Sequence, residues 1–455
     1  MKANPRNRIT LAAILALCML IAGCGGGSGG KPSAQASAPS SSSPASASPS
    51  ASAEPEKVEI THWRYENDNE TKTIRALIDS FQKKYPHITV KLELIPAEQY
   101  ETKIRTAMAG QSAPDIMAVD APTIASYASQ EAIIPLDEYM NADGDKDDIL
   151  KPVLGSITYK DHIYAAPLQN HSLVLFYNKK MFEEKGIPLP SKNPDEPLAW
   201  EQLLDAAKKL TDPAKGVYGL NPIFKGFTGG EAPPYGEMPW IWQAGGEIIS
   251  PDGKTSRGYL DSSESKSALE FVRKLFNEYK VSPKELPQDP LPNGKVAIDI
   301  QSPGYLNSLK SKYPDFKLGE DFDIMPLPKN ARQATPMGSW NLAITSQSKH
   351  PKESWMFINW VTGVDGAVEW YKGTGNLPAR QSTVDAIPEL NQYPLNVFAG
   401  QSVKYAHPRP VTPAYPVISE TIRELFEEIG IGNHSVDEAV EKAVKKIDTA
   451  LAQVK

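Results

Sequence analysis

The chain is nearly without cysteine. Cys18 and Cys24 are the only two in 455 residues, and both fall at its start. Beyond them no thiol remains for a disulfide, a cysteine nucleophile or a cysteine-ligated zinc, so stability must come from core burial. There is no basic excess either. Lys and Arg number 48 against 55 Asp and Glu; the first 23 residues hold three basic and no acidic side chains, so the net charge of −7 becomes −10 for the remainder. Nucleic acid, which needs clustered Lys and Arg on its phosphates, is not an expected partner. Histidine is scarce: there are seven, none paired at ligand spacing, and neither HExxH nor GxSxG occurs. Gly246–Thr255, GEIISPDGKT, places six residues between Gly246 and Gly253, where a phosphate loop has four. Asp143, Asp145 and Asp147 open with calcium-loop spacing, but the sixth position is not glycine and Leu154 takes the twelfth, where a bidentate Glu belongs. A solvated acidic loop is the expectation at Asp143–Asp148. No metal and no cofactor are expected.

What is present begins with an apolar run, Ile9 to Ala22, behind the basic residues Lys2, Arg6 and Arg8. That order fits the n-region and h-region of a secretory signal peptide, and the run falls short of the ~20 residues that span a membrane. It ends in Leu20-Ile-Ala-Gly-Cys24, which resembles the lipobox of bacterial lipoproteins. The resemblance implies cleavage before Cys24 and a diacylglycerol on its thiol, and two acyl chains anchor a protein stably. Ser28 to Glu56 is Ser, Ala, Pro and Gly with almost no apolar side chain of any size. Such a segment cannot bury enough surface to offset its ordering entropy. Residues 1–23 are thus read as a leader and 24–57 as a lipidated cysteine with a disordered tether. The expected location is the outer face of the cytoplasmic membrane.

About 400 foldable residues suggest two domains. Val58–Thr61 alternates as a strand should; Ile74, Leu77, Ile78 and Phe81 take helical spacing; Val90, Leu92 and Leu94 alternate again. A further helix runs through Tyr100, Ile104 and Met108 to the short buried strand Ile116–Val119. This β-α-β-α-β order implies a mostly parallel sheet, with ligands beyond the carboxyl ends of its strands. Those ends carry His62-Trp63-Arg64-Tyr65-Glu66 and Asp120, an aromatic, charges and a carboxylate at one rim. The pattern restarts at Ile163, with a strand over Leu173–Tyr177 and helices to the C-terminus, the last opened by the capping box Ser435–Glu438.

A series of stretches then runs in order: Ala113-Pro-Asp-Ile-Met-Ala-Val-Asp120, Ile133-Ile-Pro-Leu-Asp137, Ala166-Pro-Leu-Gln-Asn-His-Ser-Leu-Val-Leu-Phe-Tyr-Asn-Lys179, Trp242-Gln-Ala-Gly-Gly-Glu247, Gly294-Lys-Val-Ala297, Gly338-Ser-Trp-Asn-Leu-Ala-Ile344 and Asn376-Leu-Pro-Ala-Arg380. Together, from Val58 onward, they resemble family 1 extracellular solute-binding proteins, the group that includes maltose-binding proteins. The resemblance implies an α/β, two-lobed periplasmic-binding-protein-like fold of type II. Each lobe would be a mostly parallel sheet flanked by helices, with a hinge between lobes. Lobe 1 would comprise 58–167 plus 335–385, and lobe 2 168–334 plus 386–455. It further implies a carbohydrate ligand, expected to be an oligosaccharide, held in the interlobe cleft of a monomeric receptor and delivered to an ABC permease. Relatives of this fold also bind polyols, glycerol phosphates or metal ions.

A sugar offers C–H faces and a rim of hydroxyls, so its site needs flat aromatics and fixed polar groups. Of eight tryptophans, Trp200, Trp355, Trp360 and Trp370 follow helical patterns and read as core. Trp63, Trp240, Trp242 and Trp340 lie at strand ends or in Gly/Pro-rich stretches, where sites concentrate. Trp240 and Trp340 are the leading stacking platforms; Trp63 serves either the cleft or strand packing, and the Gly-Gly after Trp242 suggests close backbone packing. Asp120 is either a ligand carboxylate or a helix cap. Glu66, Asn67 and Asn170 are polar loop candidates. Tyr305 stands where the family more often has Trp. Arg409, in a proline-stiffened connector, either reaches the cleft or lies on the surface.

Two other classes compete with the receptor. A secreted glycoside hydrolase needs two carboxylates across a glycosidic bond, and nothing singles out such a pair. A sensor or adhesion lipoprotein would bind no small solute saturably.

Overall fold

A computed structural model describes residues 56–454; the leader, Cys24 and the tether up to residue 55 lie outside the described residues. The strands are β1 (Val58–Tyr65), β2 (Ile88–Ile95), β3 (Ile116–Asp120), β4 (Thr158–Tyr159), β5 (His162–Ile163), β6 (Ala166–Pro167), β7 (Val174–Asn178), β8 (Ile298–Gln301), β9 (Phe322–Met325), β10 (Thr335–Pro336), β11 (Trp340–Ile344) and β12 (Ala406–His407). The alternation read from the sequence builds the first sheet, ordered β2-β1-β3-β11-β6. Helices α1 (Asp68–Lys84) and α2 (Ala97–Ala109) make the crossovers that the parallel pairs β1–β2 and β1–β3 require. The 3.6-residue spacing of Ile74, Leu77, Ile78 and Phe81 buries one face of α1 in that core. Among the described residues no helix is long and apolar enough to cross a membrane.

β7 shows why its sequence reads as an unbroken apolar run. Val174 and Phe176 point to one core, with Ile324 and Phe398, while Leu175 and Tyr177 point to another, with Trp240 and Ile418. Both faces of the second sheet, β8-β7-β9, are covered, so the usual wet alternation is absent.

The expectation of mostly parallel pairing needs correction. β11 runs antiparallel to β3 and β6, and β7 runs antiparallel to both β8 and β9. Chain crossing between the two sheets enters each from the other side and reverses strand direction; parallel pairing persists where a helix makes a local crossover. The sequence Ser250-Pro-Asp-Gly253 forms a turn, closed by Gly253 N–H donating to the Ser250 carbonyl at 2.9 Å, with no paired strands flanking it.

Three segments join the sheets side by side. β10 pairs with β12 in parallel, and His171 pairs with Gly338. The Thr335 hydroxyl accepts from the Leu173 N–H at 3.1 Å and donates to its carbonyl at 3.2 Å. Asn170 pairs with Leu377 on the remaining side. This seam carries the polar groups described next.

Candidate functional site

The register of the first sheet brings three strand ends together. β1 ends at Tyr65 and β3 at Asp120; β11, running the other way, begins at Trp340 opposite Asp120. The Trp340 indole, partly exposed, lies 4.2 Å from the buried Tyr65 ring (centroid to centroid), and Tyr100 packs edge-on to both. Trp340 is thus backed by two tyrosines at the rim, with part of its ring left exposed.

Asp120 faces it from β3, and Arg409 meets Asp120 in a two-pronged ion pair with both N···O distances 2.7 Å. Arg409 Nη1 also donates to Glu231 Oε1 at 2.6 Å, and Glu231 accepts from the hydroxyls of Tyr415 and Ser419. Burial pushes the Glu231 carboxyl upward while Arg409 opposes the shift. The three charges come from β3, from the residue preceding the helix Ala232–Gln243, and from the connector just past β12. They therefore tie the first sheet to the elements packed on the second. Asp120 caps no backbone N–H of the helix Ala121–Ser129.

Tyr235, under the Arg409 guanidinium at 5.0 Å, packs against Gly338. A Cβ on Gly338 would lie 2.7 Å from the Tyr235 oxygen and 2.9 Å from ring carbons. Gly338→Ala should cost about 1–3 kcal/mol through overpacking, read by urea unfolding. The cost should largely disappear in a Tyr235→Ala background; equal costs in both backgrounds would place the clash elsewhere.

A second network adjoins this one. Glu70 accepts from Arg64, from the Tyr65 hydroxyl at 2.5 Å and from Asn376 Nδ2 at 3.1 Å. Gln169 Oε1 accepts from Asn376 Nδ2 at 2.8 Å and from Trp370 Nε1 at 2.6 Å. His171 stands between the groups; burial lowers its pKa below the usual value, with Glu70 and Asp120 pulling the other way. Besides the Tyr305 hydroxyl and, further along the helix Ala232–Gln243, both Glu237 oxygens, the unpartnered buried atoms of this region are five nitrogens: Arg64 Nε and Nη1, Gln169 Nε2, His171 Nε2 and Arg409 Nε. Such a set is chemically matched to oxygen acceptors.

The other candidates divide. Glu66 lies exposed at the end of β1. Asn67 accepts from the Glu70 N–H and caps α1. Asn170 spends its amide on the Ser402 hydroxyl and the His171 N–H, both at 2.9 Å. Trp63, half-buried, carries Lys103 Nζ 4.9 Å from its ring and packs on the first core, short of the rim. Tyr305 stands edge-on to Phe176 at 5.1 Å with its hydroxyl unpartnered. Its helix, Gly304–Lys312, abuts Asn376.

Trp240 and Trp242 are corrected to core. They lie not in a loop but in the helix Ala232–Gln243, which is buried on all sides from Pro233 onward. Pro233 and Pro234 occupy its first turn, where no N–H is lost, and packing all round offsets the interior Pro239. Trp240 Nε1 donates to the Pro222 carbonyl at 3.0 Å; Trp242 stacks on His407 at 4.3 Å. In the acidic loop, Asp143 accepts from Trp355 Nε1, Asp148 accepts from Ser382, and Arg380 takes the carbonyls of Gly144 and Asp145. Among the described residues no group of three or more His, Cys, Asp or Glu side chains is placed to hold a metal.

Tyr65 lies in the rim stretch that the sequence places past β1, whereas sequence reasoning missed His171, Glu231, Tyr235 and Asn376. His171 adjoins a residue it singled out, Asn170; Glu231, Tyr235 and Asn376 acquire meaning only through Arg409, Gly338 and Gln169.

Comparison with known proteins bears on the family and the fold. Residues 67–368 match the profile of the family described as bacterial extracellular solute-binding protein. A maltotriose-binding protein of Pyrococcus abyssi is 23% identical over 381 residues, spanning 81% of this chain and 76% of that one. An ABC transporter solute-binding protein of Thermotoga lettingae, bound with alpha-D-tagatose, matches with a TM-score of 0.78 at 27% identity, covering 87% of this chain and 100% of that one. The GacH receptor of Streptomyces glaucescens, solved unliganded and with acarbose, matches with a TM-score of 0.76 at 25% identity over 88% of this chain and 100% of that one. The profile spans more than half of the sequence, and the chain belongs to the bacterial extracellular solute-binding proteins.

Proposed function

We propose that the chain is a lipid-anchored receptor that captures a carbohydrate, an oligosaccharide by preference, between two lobes and delivers it to an ABC importer. The lobes are 58–167 plus 335–385 and 168–334 plus 386–455, tethered through Cys24. The observation that carries the reading is the meeting of an aromatic platform, Trp340 on Tyr65, with charged groups drawn from both sides of the seam at Asp120, Arg409 and Glu231. Aromatic faces suit sugar C–H surfaces, and ionised acceptors suit hydroxyls. The sugars bound by the relatives named above support the same class. A ligand touching both lobes stabilises the closed arrangement by its differential affinity for that form, which gives the permease a defined pair of surfaces to read.

The test is thermal unfolding of the purified full chain in detergent, followed by tryptophan fluorescence. The panel is maltotriose, maltose, D-tagatose, mannitol and mannobiose. A ligand at 100 times its dissociation constant should add about 2.7 kcal/mol, seen as a raised midpoint with the sugar recovered unchanged. Product formation would move the chain to the hydrolase reading, and no shift with any compound would withdraw the carbohydrate assignment.

A further inference from the structure

We infer that Glu231 sets the charge of the ligand: with Asp120 it neutralises Arg409 and restricts the site to uncharged solutes, excluding phosphorylated or carboxylated ones. The inference rests on the cleft proposed above.

Arg409 would otherwise be a strong anchor for an anion. Its side chain is 2% exposed and Nε has no protein partner. Both of its Nη atoms, however, are committed: the pair to Asp120, and Nη1 also to Glu231. The neighbouring cation, Arg64, is likewise paired with Glu70. The group therefore sets two cations against three carboxylates, with His171 kept neutral between them by burial. A phosphate entering here meets an excess of negative charge in a poorly hydrated setting. A hydroxyl carries no charge and meets no such barrier, and it donates to carboxylate oxygens.

Glu231 is the adjustable member. Asp120 ends a buried strand, whereas Glu231 precedes its helix, is held by Tyr415 and Ser419, and keeps 28% of its side chain exposed. One unit of charge at ~6 Å, in a medium of effective dielectric constant about 20, changes the affinity of a singly charged ligand by about 100-fold. Screening at the partly exposed Glu231 lowers that, so a change of at least about tenfold is expected.

The experiment compares the wild-type full chain, Glu231→Gln and Asp120→Asn by titration calorimetry. The neutral probes are mannitol, maltotriose and D-tagatose; the charged ones are mannitol 1-phosphate, sn-glycerol 3-phosphate and glucose 6-phosphate. The quantity read is the ratio of neutral to phosphorylated dissociation constants, which a general loss of folding does not shift in one direction. The wild type should prefer neutral probes by at least about tenfold, and Glu231→Gln should narrow that preference by about the same factor. Should that variant fail to fold, as judged from its melt, Asp120→Asn carries the same test from the other side of Arg409. Wild-type binding of a phosphate ester as tight as that of a neutral probe, or an unchanged ratio in the folded variants, would overturn the inference and leave the carbohydrate reading standing. Binding of neither class would overturn both.

Discussion

Arg409→Met should destabilise the chain by about 3–5 kcal/mol at pH 8 and abolish measurable ligand binding. Methionine keeps much of the stem that packs over Tyr235 but removes the cation, leaving Asp120 and Glu231 as uncompensated carboxylates in a largely dry site. Breaking a buried pair by removing one partner costs far more than the net worth of the intact pair, because the stranded charge keeps its desolvation penalty. Here two charges are stranded and repel each other. The cost should therefore depend on pH in a defined direction. Burial already pushes the Glu231 carboxyl upward and Arg409 is the group that opposes the shift, so without Arg409 the penalty is greatest at high pH and shrinks as pH falls and Glu231 takes up a proton. Urea unfolding of wild type and variant at pH 8 and pH 5 reads this directly. Adding Asp120→Asn to Arg409→Met should recover part of the loss at pH 8. A loss below about 1 kcal/mol at pH 8, the range of solvated surface pairs, would show that the three groups are hydrated and carry little of the contact across the seam.

How much of this was legible in the sequence follows from the range of the interactions involved. The β2-β1-β3 part of the first sheet was readable because its strands and crossover helices are local: the period of 2 in β1 and β2 and the period of 3.6 in α1 each lie within one short window. Membership in the solute-binding family, and with it a receptor rather than an enzyme, was legible from the order of short motifs. Asp120 and Arg409 were each singled out, but 289 residues separate them, and no local pattern indicates that they bind one another. The placing of Trp240 and Trp242 in a loop failed for a different reason. Three prolines and a glycine within Ala232–Gln243 signal a loop by propensity, and tertiary burial on every face overrides that signal. The antiparallel second sheet was hidden in the same way, since strand direction there depends on repeated crossing between the sheets.

His62 carries the second large effect, and it is one of acid stability. On β1 the even positions Ile60, His62 and Arg64 all face inward, and His62 is fully buried, tilted 5.9 Å from the Phe357 ring. Nδ1 lies 3.4 Å from the Ile116 carbonyl and Nε2 has no partner, so the interior offers almost nothing to an imidazolium. Burial, assisted by the nearby Arg64 charge, lowers its pKa from 6.5 to about 3. Between those values the unfolded chain binds a proton that the folded chain refuses. Stability from this group is thus complete above pH 6.5 and lost as pH falls, by about 1.4 kcal/mol per unit, reaching about 2 kcal/mol at pH 5 and about 5 kcal/mol near pH 3. Other carboxylates titrate over the same range, so the measurement has to be a difference. His62→Leu, similar in volume and without a titrating group, should show a shallower loss of stability than wild type below pH 6.5, with the two curves parallel above it. Curves that stay parallel down to pH 4 would mean that His62 accepts its proton in the folded state, and that water or a moving Arg64 reaches the inner face of β1.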